Sequence, residues 1–128
     1  METITESQIT NALLSYNVPR DTISVFLDYH RENSLLWTAF EEKALEIISL
    51  GKKHYGARAV IEIVRYERLR LGASDGFKIN DNFIAYYARI FEFLHPQYNG
   101  FFQMRKIKGL SSKSAKMLAG MSHLKLNI

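Results

Sequence analysis

A chain of 128 residues, 47% of them hydrophobic and 12% aromatic, has the size of one ordinary domain and enough apolar side chain to close a single core without staples. It has no cysteine, which excludes disulfides, thiolate metal sites, thiol redox chemistry and a cysteine nucleophile, and suits a reducing cytoplasm. The net charge of +4 is unevenly spread: residues 1–50 hold three basic and eight acidic side chains, 51–70 hold six basic and two acidic, and 101–128 hold six basic and no acidic. An acidic start is therefore followed by two basic blocks, which attract phosphate together only where folding brings them to one surface.

The opening METITESQITN carries two glutamates and no basic apolar leader, and no apolar run approaches the roughly 20 residues that span a bilayer. Neither secretion nor membrane insertion is expected. Thr5 or Ser7 can cap a short helix in which Ile9, Ala12, Leu13 and Tyr16 approximate one stripe, with Val18-Pro19 as its stop. Residues 21–33, DTISVFLDYHREN, set Ile23, Phe26 and Leu27 at helical spacing behind an Asp21 cap. Residues 1–33 are read as an N-terminal helical arm or subdomain. From Ser34 a stronger amphipathic helix follows, with Leu36, Phe40, Ala44, Ile47 and Ile48 as its buried face and Gly51 as its stop.

After the connector GKKHYG, the run ARAVIEIVRYERLRLG puts Ala57, Val60, Ile61, Val64 and Leu71 on one stripe and Arg58, Glu62, Arg65 and Arg68 on the other side. Gly72, Ser74, Asp75 and Gly76 break it. Phe77-Lys78-Ile79 then has the alternation of a short strand or extended lead-in, and Asn80 or Asp81 caps a helix ending near His95-Pro96. The Asn99-Gly100 turn signal precedes FFQMRKIKG, a basic segment expected as a strand or wing, and LSSKSAKMLAG suits a short helix from about Ser112. Residues 34–106 form the expected principal helical domain, and 107–128 a basic C-terminal helix or tail. The expected fold class is mainly α, a compact helical domain with minor β content. A divergent helix-turn-helix or winged-helix arrangement can be drawn on it, although GASDG is longer than a tight turn.

Arg58, Arg65 and Arg68 recur at intervals of seven and three residues, so their guanidinium groups emerge on overlapping faces, with Lys52, Lys53 and His54 near the helix entrance. Paired guanidinium donors suit phosphate oxygens. The plainer account is a solvated salt-bridge surface with Glu62 and Glu67. On the next helix Phe83, Tyr87, Ile90, Phe91 and Leu94 make a core stripe, and Asn82, Tyr86, Arg89 and Phe93 form an adjacent seam. Three readings of that seam compete: Asn82 and Arg89 reading base edges in a major groove, Tyr86, Arg89 and Phe93 anchoring a protein partner, or more extensive burial in the core. Arg105, Lys106, Lys108, Lys113, Lys116 and Lys125 would speed encounter with a polyanion and make binding salt dependent, with little base specificity.

No catalytic set stands out. His30, His54, His95 and His123 are scattered, Asp28 with His30 and Glu32 is a poor metal motif, and Asp75, Asp81 and Glu92 specify no two-metal site. Neither phosphate-loop nor dinucleotide fingerprints occur. No metal, cofactor or enzymatic activity is expected.

Within Leu36 to Lys106, the pieces Lys78-Ile79-Asn80, Tyr87-Ala88-Arg89, His95-Pro96 and Gly100-Phe101-Phe102 resemble a family of small, largely uncharacterised bacteriophage and prophage proteins. Asp81 stands where that family's pattern has asparagine. The resemblance implies a phage or mobile-element setting and brings no catalytic residues. The leading expectation is a non-enzymatic phage or prophage DNA-binding accessory or regulatory protein. A phage adaptor or inhibitor that binds a host protein, and a homomeric structural factor, are the alternatives. DNA, a host protein or a second copy are the expected partners.

Overall fold

The computed structural model describes residues 4–72 and 77–102. Over these it contains five α-helices, α1 (Glu6–Ser15), α2 (Arg20–Glu32), α3 (Ser34–Ser49), α4 (Ala57–Arg70) and α5 (Asp81–Leu94), followed by a 3-10 turn at Pro96–Tyr98. Local chemistry sets the boundaries. Thr5 opens α1 with a reciprocal cap: the Gln8 N–H donates to its Oγ1 at 3.1 Å, and its own N–H donates to Gln8 Oε1 at 2.9 Å. Asn17, at φ 65°, turns the chain after α1, a left-handed conformation that asparagine tolerates better than most residues. Asn33 alone joins α2 to α3, its amide donating back to the Tyr29 carbonyl at 2.9 Å. Gly51 ends α3 at φ 98°, where a side chain would be strained. Asn80 caps α5 by accepting the Phe83 N–H at 2.8 Å.

α5 is the axis of the domain. Its ten residues from Phe83 to Glu92 are all buried, and α1, α3 and α4 pack against it. From α2, the Phe26 ring meets Phe83, Tyr86 and Tyr87 edge-on at 5.1, 5.6 and 5.2 Å. From α3, Trp37 and Phe40 lie against Tyr87 at 5.9 and 5.7 Å. Edge-to-face and offset contacts of this kind add to simple area burial. Ile9, Ala12, Leu13, Ile23 and Phe26, all from the segment read as an arm or subdomain, belong to the same core as α3, α4 and α5. Arg31 of α2 also pairs with Glu6 of α1 at 2.7 Å.

Two expectations about the fold are corrected. Among the described residues there is no β-strand, so the minor β content and the winged-helix arrangement do not form. The lead-in at 77–80 pairs with no strand among the described residues, and side chains hold two of its carbonyls: Tyr29 Oη donates to Lys78 O at 2.7 Å and Arg65 to Phe77 O at 3.3 Å. At Phe101–Phe102 the expected strand is reduced to one isolated parallel bridge between Tyr55 and Phe102. The Glu92 carboxylate takes the Gly100 and Phe102 N–H groups at 3.0 and 2.9 Å, which removes the donors that a ladder would use. The helix-turn-helix arrangement fails for a second reason, since α5, its would-be recognition helix, is enclosed by the rest of the fold. The basic segment from Gln103 and the helix expected from Ser112 lie outside the described residues.

Candidate functional site

The seam on α5 faces inward. Tyr86 and Arg89 are each 6% exposed. Arg89 donates to the Ala85 carbonyl at 3.2 Å and lies 5.5 Å from the centre of the Tyr16 ring at the end of α1. Burial depresses its pKa, opposed by Tyr16, Tyr86 and Glu92. Asn82 is half-buried, and only Phe93 of the four lies on open surface. Tyr86 and Arg89 are therefore corrected from surface anchors or base readers to packing residues. A two-χ aromatic and a guanidinium at helical spacing fill a helix interface as readily as a binding seam, and sequence spacing alone does not separate the two uses.

Arg58, Arg65 and Arg68 of α4 do share a face, and the chain itself engages them. Arg58 pairs with Asp81 and, at 3.5 Å, with Glu62. Arg65 pairs with Glu62 at 3.1 Å and lies 4.9 Å from the Phe77 ring centre. Arg68, half-buried, lies 5.9 Å from the same ring. Together they clamp the lead-in and the start of α5 onto α4. Half-exposed ion pairs of this kind contribute little to stability, but they compete with any phosphate for the same donors.

A different basic surface is open. Lys52, Lys53 and His54 in the α3–α4 connector are exposed, and among the described residues neither lysine makes an ion pair. They form one wall of a groove of about 430 Å³ whose other wall includes Gln97, Tyr98 and Asn99. No carboxylate lines it. The groove thus presents ammonium groups, an imidazole, two side-chain amides and a phenol ring, a set rich in donors for an anionic oxygen.

Its walls are fixed from behind. His54 Nδ1 lies 3.2 Å from the Gly100 carbonyl, which requires that nitrogen to carry the proton because a carbonyl only accepts. The Tyr55 N–H donates to Phe101 O at 3.0 Å. Glu92 holds the 100–102 backbone from α5, and His95 Nε2 meets Glu41 of α3 at 2.7 Å. The Tyr98 ring stacks on Phe91 with centres 6.5 Å apart and planes 18° apart.

The Tyr55–Phe102 bridge also relates the two basic blocks. Tyr55 follows Lys53 by two residues, and Arg105, Lys106 and Lys108 follow Phe102 by three, four and six. These last three lie outside the described residues. Sequence reasoning named Lys52, Lys53 and His54 but missed Gln97, Tyr98 and Asn99. The available signal was the short polar connector between the His95-Pro96 stop and the Asn99-Gly100 turn; what it faces is set by tertiary packing.

Among the described residues, no group of three or more histidine and carboxylate side chains gathers to hold a metal ion, and no helix is long and apolar enough to cross a membrane. Comparisons with protein-family models, with curated proteins and with solved structures return no match.

Proposed function

We propose that the chain is a non-enzymatic DNA-binding accessory or regulatory protein acting in the cytoplasm, in the phage or prophage setting implied by the resemblance over Leu36 to Lys106. It engages phosphates with Lys52, Lys53 and the basic residues after Phe102. The observation that carries this reading is the Tyr55–Phe102 bridge, which joins the connector bearing Lys52 and Lys53, without an ion-pair partner among the described residues, to the residue after which the second basic block follows in sequence. Neutralising phosphates releases condensed counterions, so affinity falls steeply with salt, by about 0.9 in the log–log slope per phosphate contact on duplex DNA. Titration of a labelled oligonucleotide at several salt concentrations tests it. Converting Lys52 and Lys53 together to alanine is expected to weaken binding and flatten the slope by about 2, and absence of binding at low salt overturns the reading.

The exposed side chains of α4 favour a second reading, a phage adaptor or inhibitor that binds a host protein. Tyr66 and Leu69, three residues apart, are 61% and 65% exposed, and an aromatic on an open helix face is a common interface anchor. A stoichiometric host partner that survives nuclease treatment and is lost in Tyr66→Ala would support it. A partner unaffected by that substitution would count against it.

A further inference from the structure

Resting on the nucleic-acid reading, we infer that the groove between the α3–α4 connector and the 3-10 turn takes an unpaired strand in preference to a duplex, with a base seated on Tyr98 and its flanking phosphates on Lys52 and Lys53. Major-groove readout of a duplex needs a protruding helix or ribbon that enters a groove about 12 Å wide. The basic surface here is a shallow groove instead: α5 is enclosed, Arg58, Arg65 and Arg68 of α4 engage Asp81, Glu62 and Phe77, and the open lysines line a groove of about 430 Å³. A duplex presents its bases edge-on inside a stack and cannot place one in such a hollow without unpairing it, whereas a single strand offers its base faces freely.

Tyr98 is suited to receive a base. Phe91 backs its ring at 18° between planes, and the His95 ring lies 6.3 Å away, so little conformational freedom remains to be lost on binding. Gln97 and Asn99 flank it in the groove, and their amides offer both donors and acceptors to a base edge. Stacking on an aromatic platform beside a cationic track is the general solution for single-stranded nucleic acid, and it tolerates every base because every base has a π face.

The test uses the full chain with a short labelled oligothymidylate and a duplex of equal length at matched salt, read by fluorescence anisotropy. The wild type is expected to bind the single strand at least about ten-fold more tightly than the duplex. Tyr98→Leu should weaken single-strand binding by roughly ten-fold, within the range seen for removed stacking partners, and weaken duplex binding by less, so that the preference shrinks, while Tyr98→Phe retains the preference. Circular dichroism and the unfolding midpoint establish that each variant is folded, and the phenylalanine variant tests the platform even if leucine disturbs the turn. Equal or tighter duplex binding, or a single-strand affinity untouched by Tyr98→Leu, overturns the inference while leaving the phosphate reading standing if the Lys52 and Lys53 substitutions still weaken binding. If neither oligonucleotide binds at low salt, both fail.

Discussion

Tyr87 is fully buried among Phe26, Trp37 and Phe40, and its hydroxyl has no hydrogen-bond partner among the described residues. Burial pushes its pKa far up, so the phenol stays neutral at any physiological pH. An unpaired buried hydroxyl costs about 1–3 kcal/mol of desolvation that nothing returns. Tyr87→Phe keeps the ring contacts and removes that cost, so the variant should be more stable by about 1 kcal/mol and melt a few degrees higher. Thermal unfolding of the two proteins checks this, and a lower midpoint in the variant would reveal a partner for the hydroxyl. His30 shows a related limit of sequence reading. Grouped by sequence with Asp28 and Glu32, it is 6% exposed and turned into the fold, while the two carboxylates remain exposed. Burial lowers its pKa, with Glu6 opposing. Residues two apart on a helix point in different directions, but only the packing of α2 decides which of them is covered.

The helices themselves were legible because their stripes are local: Leu36, Phe40, Ala44 and Ile47 on α3, and Val60, Ile61 and Val64 on α4, are buried as their spacing implies. On α5 the stripe was also visible, but so was a second signal that went unused. Ile84, Ala85 and Ala88 lie off that stripe, and a helix apolar on all sides is an enclosed one. What no local pattern contains is the pairing of distant groups, such as Arg58 with Asp81 or Glu92 with the Gly100 and Phe102 amides. Glu92 is 5% exposed, and its two oxygens replace a partner strand for the segment that ends the groove. Glu92→Gln retains one acceptor oxygen and turns the other position into a donor facing an N–H group. That change should destabilise the domain by roughly 2 kcal/mol, the scale of a lost charge-assisted bond and an unsatisfied buried amide. Amide hydrogen exchange at Gly100 and Phe102 is the direct measurement: both should exchange faster in the variant while α3 amides remain protected in proportion to global stability. Equal loss of protection everywhere would mean that Glu92 has no local role.

At the scale of the whole molecule, charge is unevenly divided along the chain. Among the described residues the hydrophobic core runs from Ile9 to Phe102, and residues 1–102 carry eleven basic and thirteen acidic side chains, 103–128 six basic and no acidic. Residues 1–102 are thus net negative, and the excess positive charge of the protein resides in the segment that follows Phe102. A polyanion meeting residues 1–102 alone would find Lys52 and Lys53 as local attractions within a weakly repelling field, and long-range steering would be lost. Ending the chain after Phe102 removes that charge. It should weaken oligonucleotide binding by at least about ten-fold and flatten its salt dependence, since each phosphate contact removed takes about 0.7 to 0.9 from the slope. Paired melting and salt-titration measurements separate loss of charge from loss of fold. Retained affinity with an unchanged slope would show that the groove binds without the second basic block, and a collapsed midpoint would show that residues 103–128 contribute to the fold as well as to the charge.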